Sequence, residues 1–358
     1  MKAQVTNNIN GKSVILFPVT YKEKQRQTQK QKQTQKQIQT QKQTQKQTTI
    51  WHNSINVFYS IGKRADNDKN NKIRECIIGS IINKCIPEIY FTTIKWKLLH
   101  DCVFQYLNIL HDNQPYLSVE CFHTAGRSHT FDLLIVFTDM EKNNIEYVIE
   151  FKYNANSISS TPQFVSPMKP SQYLTASYEE HFYDNYLVPF LEKWCLTIPN
   201  KCVWLKEIHR PYPECVKHLK NKYDSGHKNK QVADDISFYH ECKKMTKDSI
   251  YSFIQSHDLC TDTLSDYFIK TQKNKNYMLY KLSNQNGIMI PTITLESMEQ
   301  GDYKIVECIK NPELSRYECK TQTGGIINVL LRWRNGNGIA FPAFQVSYKP
   351  SYKPEPDQ

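Results

Sequence analysis

The chain has 358 residues, and its 46 Lys and Arg against 35 Asp and Glu give a formal charge of +11. That length buries a sizeable core without staples, and eleven cysteines with no CxxC pair favour reduced thiols over a disulfide framework. No apolar run approaches the ~20 residues needed to cross a bilayer and no signal peptide opens the sequence, so the expectation is an intracellular protein, cytoplasmic or nuclear, neither secreted nor membrane-bound.

The charge is unevenly spread. Residues 22–46 hold eight bases and one acid, which is +7 of the total and leaves +4 for the rest. From Lys22 to Thr49 Gln alternates with Thr and Lys, and Ile38 is the single large aliphatic residue. Such a segment cannot bury enough apolar surface to offset its ordering entropy. Residues 1–50 are therefore expected to be a disordered arm, in which Val14 to Val19 is either an isolated strand or part of the arm. The tract reads as a slippage-expanded repeat or as a basic tether for nucleic-acid phosphates.

Ordered structure is expected from Trp51. Lys72 to Cys85 and Thr93 to Leu110 carry apolar residues at helical spacing, with Gly79 weakening the first. Tyr116 to Phe122, Phe131 to Phe137 and Ile145 to Lys152 have strand character. Ser171 to Trp194 reads as a helix that Pro189 kinks or breaks. Its Tyr173, Tyr178, Tyr183 and Tyr186 fit a core better than a base-stacking platform. Residues 201–247 follow no single period. INVLLRW and IAFPAFQV flank NGNG, a hairpin signal in which Pro342 points to an edge strand. These readings divide the chain at about residue 200, into an α/β core over 51–200 and an α+β region over 201–358.

The chemistry concentrates in FDLLIVF (131–137) and EYVIEFK (146–152), two strands joined by TDMEKNN. A turn centred on Glu141 keeps paired residue numbers summing to 282, so Thr138 faces Asn144 and Asp132 faces Glu150. Alternation puts Glu150 and Lys152 on one face and Ile149 and Phe151 on the other. Facing carboxylates repel unless a cation lies between them. Magnesium, an oxygen-seeking ion content with one or two carboxylates and several waters, resolves that conflict.

Asp132, an apolar hairpin and then Glu150-Phe151-Lys152 resemble the D…ExK signature of the PD-(D/E)XK nuclease superfamily. The likeness covers roughly residues 72–200, with the helices at Thr93–Leu110 and Ser171–Trp194 flanking three strands. It implies a restriction-endonuclease-like core, a mixed central sheet flanked by helices, and a metal-dependent endonuclease hydrolysing phosphodiester bonds of double-stranded DNA. In that family pattern Mg2+ (or Mn2+) is held by Asp132, Glu150 and the carbonyl of Phe151. Lys152 orients the attacking water or stabilises charge on the phosphate. A restriction-like, sequence-specific enzyme is the sharpest version, and a homodimer is a candidate assembly because a double-strand cutter uses two sites. Phe131 stands where the family's name has proline. A further acid on the first helix is Glu75 or Asp101. Gly126 precedes Asp132 as in the RecB-like branch, but a clean QxxxY is missing, which leaves Gln172 as a candidate approaching from the following helix.

Other candidates are blander. Cys215, His218, His240 and Cys242 have partial zinc-ligand spacing against a default of ordinary thiols and surface histidines. Lys217, Lys220 and Lys222, with Lys228 and Lys230, either contact phosphate or solvate a loop. Arg332 and Arg334 alternate onto one face of a strand, where they reach DNA or simply solvate it. The rival functional class is a noncatalytic nucleic-acid-binding protein that retains the nuclease fold; a third is an interaction protein whose D…ExK hairpin is coincidental.

Overall fold

The computed structural model describes residues 6–9, 12–15, 54–60, 66–124, 130–161, 164–210, 213–229, 231–334 and 336–351; the tract 22–49, Trp51, Gly126 and Lys230 lie outside them. The first described elements are strands β1 (Thr6–Ile9) and β2 (Lys12–Ile15), paired antiparallel. This corrects the expectation of a disordered arm for those residues. Asn-Gly, the dipeptide favoured in two-residue hairpin loops, separates the two strands in the sequence.

Helices α1 (Asn56–Tyr59), α2 (Asn67–Ile82) and α3 (Ile94–Leu110) follow. In α3 the buried residues Trp96, Leu99, Val103, Tyr106, Leu107 and Leu110 form one helical stripe. In α2 every residue from Ile73 to Ile82 is buried, Arg74 and Glu75 included. Arg74 is satisfied there: Nε and Nη2 donate to the Val57 carbonyl at 2.8 and 2.6 Å, and the guanidinium lies 3.3 Å from the Tyr153 ring centroid. Next come β3 (Tyr116–His123), β4 (Leu133–Asp139) and β5 (Asn144–Tyr153), within a residue or two of the predicted strands.

After β6 (Phe164–Met168), α4 (Tyr178–Phe182) passes through a π turn (Tyr183–Leu187) into α5 (Val188–Lys193). The irregularity stands where Pro189 removes a backbone donor. Helices α6 (Lys201–Glu207), α7 (Lys217–Asp224), α8 (Ala233–Ser256) and α9 (Thr261–Gln272) lead to β7 (Lys275–Gln285) and β8 (Ile288–Ser297). The chain closes with β9 (Ile305–Asn311), β10 (Arg316–Thr321), β11 (Ile326–Trp333) and β12 (Pro342–Lys349).

These elements form two compact units, residues 1–160 with 274–298, and residues 161–273 with 299–358. The predicted boundary near 200 therefore falls inside the second unit. In the first unit the sheet order is β3-β4-β5-β7-β8, with β5 and β7 parallel and every other pair antiparallel. Parallel neighbours need a crossover connection, and here residues 154–274 supply it, so the unit is discontinuous in sequence. Ser171–Trp194, expected to flank the core sheet, belongs to the second unit. One face of the first sheet, with Leu133, Ile135, Phe137, Ile149, Phe151, Met278 and Tyr280, joins α1–α3 in one buried core. Burying a side chain of this size contributes about 1.5–3 kcal/mol. Leu134 and Val136 point to the other face, with Phe122. The first unit is thus a mixed α/β layer.

The second unit carries an antiparallel sheet of order β6-β12-β11-β10-β9 together with the helices α4–α9. β11 and β12 form the predicted hairpin, Trp333 facing Pro342. β12 is not at the edge, however, because β6 covers it. Pro342 is tolerated as the first residue of the strand, since β6 pairs only with Phe344 and Val346. In the intervening turn Gly338 has φ +70, and a Cβ there would stand 2.8 Å from the Met245 side chain. Tyr173, Tyr178 and Tyr183 are buried.

Candidate active site

The β4–β5 hairpin is closed by Asp139, whose carboxylate accepts from the backbone N–H groups of Glu141 (2.9 Å) and Asn143 (2.7 Å). The register runs from Thr138↔Asn144 to Leu133↔Ile149, the pairing expected from the turn. Asp132 lies one residue before the strand, and there the ladder slips. Its N–H donates to the Ile149 carbonyl (2.9 Å), although Ile149 already faces Leu133. Its carboxylate Oδ2 accepts from the Phe151 N–H at 3.0 Å. Asp132 thus grips β5 on both sides of Glu150.

Glu150 and Lys152 emerge together, with Lys152 Nζ 2.7 Å from Glu150 Oε1, while Ile149 and Phe151 are core residues. The other Glu150 oxygen meets a residue the sequence did not suggest. Lys275, the first residue of β7, places Nζ 3.1 Å from Oε2 and also donates to the Thr130 carbonyl. Its side chain is 3% exposed against 14% for Lys152. A second unforeseen residue is His123 at the end of β3, whose Nε2 lies 2.8 Å from Glu75 Oε2.

The charges interact strongly in this setting. Burial pushes the Asp132 carboxyl up to about 8, and Glu150 and then Glu75 add to the rise by like-charge repulsion. Glu75 is therefore the acid of the first helices that belongs with Asp132. Asp101 does not: it is 51% exposed and pairs with Lys97 on the solvent side of α3. Burial also raises Glu150, but Lys152 and Lys275 outweigh it and hold the carboxyl below its ordinary value. Lys275 is lowered, chiefly by burial, with Glu150 opposing.

One consequence is measurable without any ligand. Between an ordinary aspartate value near 3.8 and about 8, folded Asp132 binds more protons than unfolded Asp132, so its contribution to stability falls as pH rises through that window. Asp132→Asn keeps an oxygen for the Phe151 N–H and cannot ionise. It is expected to be more stable than the parent by on the order of 2 kcal/mol at pH 9, and by less at pH 5. Chemical unfolding in EDTA checks this; a pH-independent difference would remove the buried carboxylate from the account.

The remaining candidates do not join this cluster within the first unit. Gln172 is an exposed residue of a short 3-10 turn in the second unit. Lys217, Lys220 and Lys222, read as contacting phosphate or solvating a loop, are each matched by an acid, Glu214 at 2.8 Å, Asp224 at 2.5 Å and Asp235 at 2.7 Å. Glu214 and Asp224 lie three and four residues from their lysines, the spacing at which helical side chains meet, whereas Asp235 reaches Lys222 from α8. Arg332 is half-buried and donates to Gln345, while Arg334, exposed, lies 5.4 Å from the Phe341 ring centroid. Cys242 is buried in the core and no zinc set forms: among the described residues, no group of three or more His, Cys, Asp or Glu is arranged to hold a metal ion.

The Asp132–Glu150 pair remains chemically suited to a hard divalent cation. Two oxygen donors with waters are enough for magnesium, and Asp132 is a buried acid whose ionisation a cation would relieve. Among the described residues no helix is long and apolar enough to cross a membrane. Compared with known proteins, the chain matches no family model, no curated protein and no solved structure.

Proposed function

We propose that the first unit is a magnesium-dependent nuclease centre of the PD-(D/E)XK type that hydrolyses DNA phosphodiesters. The observation that carries this reading is Asp132 bracketing Glu150, with Lys152 on the same face. Asp132 and Glu150 are the metal-holding carboxylates, and Glu75 adds to the negative field around Asp132. Phe151 contributes its carbonyl: a residue's N–H and C=O leave a strand on the same side, and its N–H already meets the Asp132 carboxylate. When bound, the ion polarises a phosphoryl oxygen and lowers the pKa of a coordinated water. Lys152, on the same face as Glu150, would offer its ammonium to the attacking water or to the phosphate as negative charge builds. Lys275 stays buried on the other Glu150 oxygen and fixes that side chain's orientation. The basic tract supplies general attraction to the phosphate backbone.

The full chain is expected to relax or linearise supercoiled DNA in magnesium or manganese and to do neither in EDTA. Manganese should also raise the unfolding temperature of the parent and not that of Glu150→Gln, since binding to the folded state alone stabilises it by about 2.7 kcal/mol at a hundredfold excess over Kd. A second reading, a noncatalytic nucleic-acid-binding protein with the nuclease fold, is favoured by the engagement of both Glu150 oxygens by lysines. It predicts DNA binding that is indifferent to metal, no cleavage and no metal-dependent thermal shift.

A further inference from the structure

In the second unit, β9 is the edge strand, and its Cys308 stands directly opposite Cys319 of β10. The two sulfurs are 3.4 Å apart, with the Cys319 thiol donating to Cys308. Residues facing each other in an antiparallel pair have Cα atoms about 4.5 or 5.5 Å apart, within the roughly 4.4–6.8 Å that a disulfide spans. Forming the bond requires only that side-chain rotation bring the sulfurs to about 2.05 Å. The partners differ in access: Cys308 is half-buried and Cys319 is buried.

We propose that Cys308 and Cys319 form a reversible dithiol site, oxidised by a small disulfide such as glutathione disulfide, with Cys308 as the attacking thiol. The Cys308 thiolate attacks one sulfur of glutathione disulfide, breaking its S–S bond, forming a mixed disulfide and releasing one glutathione thiolate. Cys319 then gives up its proton to solvent and attacks the Cys308 sulfur, forming the protein disulfide and expelling the second glutathione. Two protein thiols are oxidised and one glutathione disulfide is reduced to two glutathiones; excess glutathione reverses both steps. The hydrogen bond from Cys319 holds Cys308 below the ordinary thiol value, and the same contact, with burial, pushes Cys319 up. Polarity of attack and access therefore agree. The product is a staple tying the edge strand to its neighbour, a place where sheets are otherwise open to unwanted pairing.

The test uses the full chain in glutathione buffers of increasing oxidation, alkylated under acid quench and mapped by mass spectrometry of its peptides. The expected product is a Cys308–Cys319 crosslink that glutathione removes, together with a rise of roughly 5 °C in unfolding temperature on oxidation. Cys319→Ser should stop at a glutathione adduct on Cys308, and Cys308→Ser should leave Cys319 unmodified, both without the thermal shift. The proposal is overturned if Cys308 and Cys319 stay alkylatable while the exposed Cys85, Cys195 and Cys202 carry glutathione, or if either thiol crosslinks to another cysteine. Should one serine variant fail to fold, the parent peptide map and the other variant still decide.

Discussion

Lys152→Ala is expected to lower metal-dependent DNA cleavage by the full chain at least about 100-fold, the usual loss when one donor to developing transition-state charge is removed. The fold should tolerate the change, because Lys275 still neutralises Glu150 from its other oxygen. DNA affinity should change little, since one ammonium among many bases contributes only a small part of the phosphate attraction. The informative comparison is initial cleavage rate against DNA affinity and unfolding temperature on the same preparations. Cleavage that survives intact in the variant would take Lys152 out of the mechanism. A parent that binds several DNAs without cutting any, in magnesium or manganese, would move the assignment to the noncatalytic reading.

Glu150→Ala is expected to be the most destabilising change at the site, by about 3–5 kcal/mol, because it strands a buried cation. Lys152 reaches solvent more readily; Lys275, at 3% exposure, cannot, and it keeps the Thr130 carbonyl as an uncharged partner. Adding Lys275→Met to Glu150→Ala should recover much of the loss, and the double-mutant cycle isolates the coupling. Glu150 is held below its ordinary carboxylate value, so the stabilisation is complete above about pH 4.5 and fades as pH falls through the lower folded value. Urea midpoints read at constant m measure all of this. A loss under about 1 kcal/mol for Glu150→Ala would mean that Lys275 finds water once the carboxylate is gone.

The two effects separate chemistry from architecture at a single cluster. In the proposed mechanism Lys152 faces the phosphate, whereas Lys275, buried on the other Glu150 oxygen, holds that carboxylate in place. Natural sites commonly keep a costly group where function needs it, and Asp132, pushed up to about 8 by burial and two neighbouring carboxylates, has that character. Its expected gain in stability on amidation and the expected loss on removing Glu150 have opposite signs because burial and like charge outweigh the Lys152 attraction at Asp132, whereas two lysines outweigh burial at Glu150.

Local pattern alone determined much of the first unit. The length of the turn at 138–144 sufficed for the β4–β5 register from Thr138 to Leu133, because a hairpin's pairing is fixed by its own loop. The alternation of side chains along a strand separated Glu150 and Lys152 from Ile149 and Phe151. The stripe Trp96, Leu99, Val103, Tyr106 already placed Asp101 on the far side of α3, so Glu75 was the choice available to a stricter reading of helical spacing. Only the tertiary structure decided the rest. Lys275 lies 125 residues from Glu150 and arrives through a parallel pairing of β7 with β5, which no local signal announces because its crossover holds residues 161–273 of the second unit. His123 reaches Glu75 only once β3 is laid against α2. The grip of Asp132 on Phe151 depends on a one-residue slip at the end of a strand, where the backbone geometry of both strands sets where a carboxylate points.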